Sequence, residues 1–188
     1  MTMTLWYASR ATGLTSLVLL TAVVALGALN GGRFTSANWP RFAVAALHRN
    51  LSLLAVAFLV VHIATAVIDP YAGIAWLNAV LPFSSAYHPF WLGLGTVAFD
   101  LFMALIASSL LRPRIDVRVW RAIHWAAYVC WPVAVAHGVG IGGADSRLGW
   151  VLVLTGGCVL AVLAAVLWRV AAHHPDTDAR RQPWTGVR

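Results

Sequence analysis

The amino-acid sequence predicts an all-α integral membrane protein, a bundle of five transmembrane helices. Three observations lead there. Of 188 residues, 61% are hydrophobic and 10% charged, where a soluble domain carries roughly 25% charged residues, so a soluble globular chain is excluded. Five apolar stretches approach the length needed to cross a hydrocarbon core of roughly 30 Å, which is about 20 residues of helix. No two-residue alternation suggests strands, and no internal repeat is evident.

The five stretches run approximately from Gly13 to Leu29, Ala43 to Val67, Phe90 to Leu111, Val119 to Val139 and Leu148 to Ala171. Between them stand the turn formers Asn30-Gly31-Gly32, Asp69-Pro70, Pro82 to Pro89, Arg112-Pro113-Arg114 and Gly140 to Arg147. Small residues from Ala25 to Ala28 resemble the cleavage region of a signal peptide. However, only Arg10 precedes that stretch whereas Arg33 and Arg41 follow it, a charge order that favours a retained span with its amino terminus outside. The expected organisation is an extracytoplasmic segment (1–12), a membrane domain (13–171) and a short cytoplasmic tail (172–188), in the cytoplasmic membrane of a cell.

All thirteen basic residues are Arg, all six acidic residues are Asp, and the net charge is +7. A nucleic-acid binder gathers its basic residues on a solvated face; these punctuate apolar runs, so the charge speaks of topology and no nucleic-acid partner is expected. On the orientation above, Arg33, Arg41, Arg49, Arg112, Arg114, Arg118, Arg121, Arg169, Arg180, Arg181 and Arg188 collect inside, and Arg10 and Arg147 remain outside. The outer loop from Ile68 to His88 contains Tyr71, Trp76 and Tyr87 but no Arg, and is long enough to fold back as a short interfacial or re-entrant piece. Trp39, Trp91, Trp120, Trp150 and Trp168 near span ends suit aromatic belts beside the lipid bilayer. Cys130 and Cys158 form neither a disulfide framework nor a Cys-x-x-Cys motif and read as small buried hydrophobes.

Ionisable residues inside a membrane are costly and mark function. The second span carries His48 and His62, fourteen residues apart; the fourth carries His124 and His137, thirteen apart. Each pair is spread over roughly 20 Å of helix. One span lies between the two helices, so they run in the same direction, setting His48 opposite His124 and His62 opposite His137. Facing histidines in a bundle are the geometry that holds a haem iron from both sides. Zinc would need further ligands, and only Asp100 and Cys130 are near. Gly93, Gly95, Gly138, Gly156 and Gly157 would let flat rings approach the backbone. The alternative is that histidines at helix ends merely cap or snorkel. At about 100° per residue, thirteen steps leave His137 more than a third of a turn from His124. Pro132 lies between them, so a distorted turn near Tyr128 to Pro132 is expected to realign His137.

These spacings on alternate helices, with the stretch from Trp91-Leu-Gly-Leu-Gly-Thr-Val-Ala-Phe-Asp100 to Leu110-Leu-Arg112, resemble the ferric reductase transmembrane family over approximately residues 13–171. That family comprises the membrane cores of ferric reductases and NADPH oxidases and the haem subunit of a periplasmic methionine sulfoxide reductase. The resemblance implies two b-type haems, one ligated by His48 and His124 near the inner face and one by His62 and His137 near the outer, passing electrons across the bilayer. Many members have six spans, and this chain is expected to lack the first. Many also continue into flavin and nicotinamide domains, whereas a short Arg/Asp/Pro-rich tail follows Ala171. FAD or FMN is therefore expected only on a partner protein.

Arg49 and Arg121 are candidates to pair with propionates of the inner haem, or to serve as positive-inside anchors. For the outer haem the candidates are His88, Tyr87 and Arg147. Asp100 reads as a buried polar link between helices or a proton relay, and His173 and His174 as headgroup-region residues. With both iron positions taken by histidine, the protein is expected to work as the electron-transfer subunit of an oxidoreductase rather than to bind substrate at iron. Its donor would be a flavoprotein reductase or a quinol; its acceptor would be ferric iron, oxygen or an extracytoplasmic flavin-binding protein. Two other readings stand beside it: a quinol-linked cytochrome b subunit, weakened by the absence of the Glu in the Pro-Glu-Trp-Tyr motif of that family, and a haem-free transporter or scaffold.

Overall fold

The computed structural model describes residues 3–31 and 40–171. These residues form six α-helices: α1 (Met3–Gly31), α2 (Arg41–Ile68), α3 (Pro89–Leu110), α4 (Val117–His124), α5 (Ala127–Ile141) and α6 (Gly149–Ala171). Two single 3-10 turns, Trp76–Ala79 and Asp145–Arg147, interrupt the longer connections, and no strand occurs among the described residues. The protein is all-α. Helices α1, α2, α3 and α6 are each long and apolar enough to cross a membrane. Arg33, Trp39, Arg180, Arg181, Arg188, His173 and His174 lie outside the described residues.

Local chemistry sets the boundaries. Pro40 precedes α2, and Pro89 occupies the first turn of α3, where a missing N–H costs nothing. Asp69 ends α2: its backbone N–H bonds Thr65 O, and its carboxylate accepts the Tyr71 N–H at 3.0 Å. Asp116 caps α4 by accepting the Arg118 N–H at 2.7 Å. Helix α1 starts ten residues before the expected span. No Pro or Gly precedes Gly13 to stop it, and Arg10, now inside the helix, has partners: its guanidinium lies 3.9 Å from the Asp145 carboxylate and 4.4 Å over the Trp6 ring.

The fourth expected span is not one helix. It is divided into α4 and α5 at Trp125 and Ala126, and the break lies just upstream of the turn expected near Tyr128 to Pro132. Pro132 lies inside α5. Having no N–H, it leaves the Tyr128 carbonyl without its usual partner and crowds it, which disturbs the turn before the proline rather than at it. There the chain tightens: Ala126 N–H bonds Ile123 O at 2.9 Å, Tyr128 N–H bonds Trp125 O at 3.1 Å, and Val129 N–H bonds Ala126 O at 3.0 Å, each a three-residue step. A 3-10 step turns the chain about 20° further than an α step. Several in series rotate His137 in the direction it needs, toward the face of His124.

Helix α1 is the centre of the bundle, packed against α2, α5 and α6, while α3 packs on α4 and α5. Helix α2 packs extensively only on α1, so a gap separates its other face from α3 and α5. The gap is closed midway. Ala55, seven residues from both His48 and His62, joins Ala98, Phe102, Leu105 and Cys130 in one buried cluster. A second cluster, Val24, Trp131, Cys158 and Val162, ties α5 and α6 to α1, and the Trp131 indole N–H donates to Thr21 Oγ1 at 2.9 Å inside it. Both cysteines are free and buried. Leu53, Val60, Leu160, Leu167 and Val170 point outward, as lipid-facing side chains do. The α4–α5 junction is held from α6, where Arg169 donates to the Tyr128 hydroxyl at 2.7 Å and lies 4.9 Å over the Trp125 ring.

Candidate functional site

The four span histidines meet in two pairs. The rings of His48 and His124 have centres 6.4 Å apart and cross at 61°; those of His62 and His137 lie 6.3 Å apart and cross at 75°. The Ala55–Phe102–Cys130 cluster lies between the two levels.

Three of these rings are anchored alike. His62 Nδ1 is 2.8 Å from Ser9 O, His48 Nδ1 is 2.9 Å from Val23 O, and His137 Nδ1 is 2.8 Å from Trp91 O. A carbonyl can only accept, so Nδ1 carries the proton and Nε2 keeps the lone pair that a metal requires. Such a bond also fixes the ring's orientation and raises its basicity as a ligand. Each carbonyl is followed four residues later by a glycine: Gly13, Gly27 and Gly95. A helical carbonyl normally takes the N–H of that residue, and a side chain there would cover the oxygen's free side. A β-carbon would fall 2.9 Å from the His62 ring at Gly13, 3.3 Å from His48 at Gly27 and 2.6 Å from His137 at Gly95. The fourth ring differs: His124 Nδ1 is buried and has no hydrogen-bond partner among the described residues.

Of the glycines expected to admit flat rings, then, only Gly95 receives a histidine. Gly93 receives the Phe83 ring, and an added β-carbon at Gly138, Gly156 or Gly157 would meet nothing within 4 Å. Gly13 and Gly27 escaped the sequence reading, although their spacing of fourteen repeats that of His48 and His62.

A cavity of about 480 Å³ opens at the His62–His137 level, reaching down to Phe102 and Cys130 and bounded toward its mouth by Ser9, Arg10 and Asn78. That volume falls within the range of small-molecule and cofactor pockets. The loop after α2 folds over it: Thr96 of α3 donates to Asn78 O at 2.8 Å, and the Asn78 side chain holds Ala75 N–H and Ser84 Oγ at 2.8 Å each.

The supporting residues are placed as follows. Arg49 and Arg121 are exposed and make no hydrogen bond or ion pair with the described residues. His88 is exposed and edge-on to the Tyr87 ring at 4.7 Å. Neither His88, Tyr87 nor Arg147 lines the cavity; Arg10 does. The sequence reading took Arg10 for a topological charge because it placed residues 1–12 outside the helix. Burial pushes the Tyr87 phenol above its ordinary pKa, helped by Tyr71. Asp100 is half-buried on α3 and makes no hydrogen bond to the described residues, so the expected link between helices is not made there. No group of three or more His, Cys, Asp or Glu stands ready for a bare metal ion among the described residues, which leaves each pair as a two-ligand site.

No curated protein and no solved structure gives a significant match to the chain. The family model described as ferric reductase like transmembrane component matches residues 12–140, more than half of the chain, taking in nearly all of α1 through α5 and all four paired histidines. With its bundle of apolar helices, the chain is therefore a multi-pass membrane component of oxidoreductase type, and it belongs to the ferric reductase-like transmembrane family.

Proposed function

We propose that the protein is a transmembrane di-haem b-type cytochrome, the electron-transferring membrane subunit of a ferric-reductase-like oxidoreductase. His48 and His124 hold one haem, and His62 and His137 hold the other. The observation that carries this reading is the pair of ring separations. Two imidazoles that each place a nitrogen about 2 Å from one metal ion have ring centres roughly 6 Å apart, and the two pairs stand 6.4 and 6.3 Å apart. Three of the four rings also have Nδ1 committed to a carbonyl and Nε2 free.

A haem held by two histidines supplies reversible one-electron chemistry without an open iron position. The protein's part is to hold the imidazoles, exclude water with Leu, Val, Ala and Phe, and keep the two levels apart with the Ala55–Phe102 cluster. Among the described residues, Arg49, Arg112, Arg114, Arg118, Arg121 and Arg169 fall at the His48 end and only Arg10 and Arg147 at the other, which supports a cytoplasmic location for the His48 end and an outside amino terminus. Arg49 and Arg121 are then placed to meet propionates at that end, and Arg10 at the other. Electrons would enter from a cytosolic flavoprotein or a quinol and leave to ferric iron, oxygen or a flavin-binding protein outside.

The test is haem per chain, with reduced-minus-oxidised spectra, for the wild type and for His48→Ala, His62→Ala, His124→Ala and His137→Ala. Two haems in the wild type are expected, with His48→Ala and His124→Ala losing the same one and His62→Ala and His137→Ala the other. A purified wild type without b-type bands overturns the reading.

A further inference from the structure

The four histidines are not held by the same device. His48, His62 and His137 each donate through Nδ1 to a helix carbonyl whose next-turn residue is glycine. At the level of His124 the corresponding residues of α3, thirteen and fourteen beyond Gly95, are Ser108 and Ser109. Neither offers the bare backbone of a glycine, and Ser108 is buried with its hydroxyl turned back to Leu105 O at 3.0 Å. His124 Nδ1 correspondingly has no acceptor among the described residues.

What His124 has is a stack. Trp120, one turn earlier on α4, lies nearly parallel to it, with ring centres 4.8 Å apart and planes 25° from each other. The same indole also carries a cation: Arg112 Cζ lies over the ring, 4.9 Å from its centre. Residues four apart on a helix share a face, so the Trp120–His124 stack needs no other element; Arg112, from the turn after α3, adds its cation to the indole. The indole Nε1 is itself buried and without a partner among the described residues. Hydrogen bonding therefore does not orient the pair, and the ring faces do.

We propose that Trp120, backed by Arg112, is the positioning residue of His124, substituting an aromatic support for the carbonyl and glycine that hold the other three histidines. The proposal rests on the di-haem reading. It follows that the two haem sites differ in kind. An imidazole whose Nδ1–H has no acceptor is the less basic ligand, and one held by stacking alone is freer to rotate about its bond to a metal. The His48–His124 site is thus the one from which haem is lost first and whose potential responds to a single half-buried arginine, Arg112.

The experiment uses the full-length protein in detergent or nanodiscs, with three readouts: haem per chain, the low-spin ferric EPR signals, which report the mutual orientation of two axial imidazoles, and the two midpoint potentials. Trp120→Ala is expected to cut haem from two per chain toward one, or to shift one of the two EPR signals while leaving the other in place. Trp120→Phe, which keeps the ring face but not the N–H, restores the wild-type signals. Arg112→Gln keeps both haems and lowers one midpoint potential, because loss of a nearby positive charge favours the ferric state. Repeating these substitutions in His137→Ala, where the surviving haem is that of His48 and His124, identifies the responding site. A wild type lacking two haems overturns the di-haem reading and this proposal with it. A wild type with two haems in which Trp120→Ala moves neither signal overturns this proposal alone, as does Trp120→Phe behaving like Trp120→Ala. If Trp120→Ala does not accumulate, unchanged potentials in Arg112→Gln decide against it.

Discussion

His137 Nδ1 lies 2.8 Å from the carbonyl oxygen of Trp91, and the ring rests so closely on Gly95 that an added β-carbon would fall 2.6 Å from it. The corresponding distances are 2.9 Å at Gly13 and 3.3 Å at Gly27. Alanine should therefore be tolerated in the order Gly27, Gly13, Gly95. Haem retained per chain after purification is the measurement, with Gly95→Ala losing the His62–His137 haem most completely. Gly156→Ala and Gly157→Ala, which meet nothing within 4 Å, should retain both haems and gain about 1 kcal/mol of helix propensity each.

Pro132→Ala restores an N–H that can bond the Tyr128 carbonyl and relieves the crowding that displaces it. The α4–α5 break should then straighten toward one helix, turning His137 away from His62. Haem analysis of this variant should find the His48–His124 haem retained and the other lost; full occupancy of both sites would show that the 3-10 turns at Trp125 to Val129 form without help from the proline.

Thr21→Val removes the acceptor of the buried Trp131 indole N–H. An unpaired buried donor costs about 1–3 kcal/mol, so thermal unfolding in detergent should shift downward. The double variant Thr21→Val, Trp131→Phe should recover part of that loss, since neither partner is then left polar and unpaired. Simple additivity of the two single effects would count against the bond.

Arg169→Leu takes away both the bond to the Tyr128 hydroxyl and the cation over Trp125. The expected loss of stability is about 1–3 kcal/mol, larger than for Tyr128→Phe, which keeps the cation–ring contact. Hydrogen exchange should locate the loosening at residues 124–129; exchange unchanged there would mean that α6 does not brace the junction.

Much of this arrangement could be read from the sequence. Histidine spacings of fourteen and thirteen on alternate spans were enough to pair His48 with His124 and His62 with His137, because helical rise converts spacing directly into depth. The proline between the second pair signalled a deformation, but its place, at Trp125 and Ala126, depends on which carbonyl the proline ring crowds. Gly13 and Gly27 were visible only as small residues in the first span; what singles them out is their register against the histidines of α2, a fact of packing. Arg10 reads in the sequence only as a charge on the outer side, because composition cannot tell a terminal segment from the first three turns of a helix that line a cavity. The absence of a carbonyl for His124 has no sequence signature short of comparing all four seats at once.

The seats of His48 and His62 are supplied entirely by α1, through Val23 with Gly27 and Ser9 with Gly13. A chain is synthesised from its amino terminus, and its amino-terminal parts fold first. Two of the four imidazoles can thus be locked in tautomer and direction when the nascent chain has been made only as far as Ile68, as one hairpin of α1 and α2. The later helices would arrive at a half that is already set, and the Trp91 carbonyl leads with α3 before His137 follows on α5. Assembly then becomes the addition of two rings to a prepared face, in the order in which the ribosome delivers them.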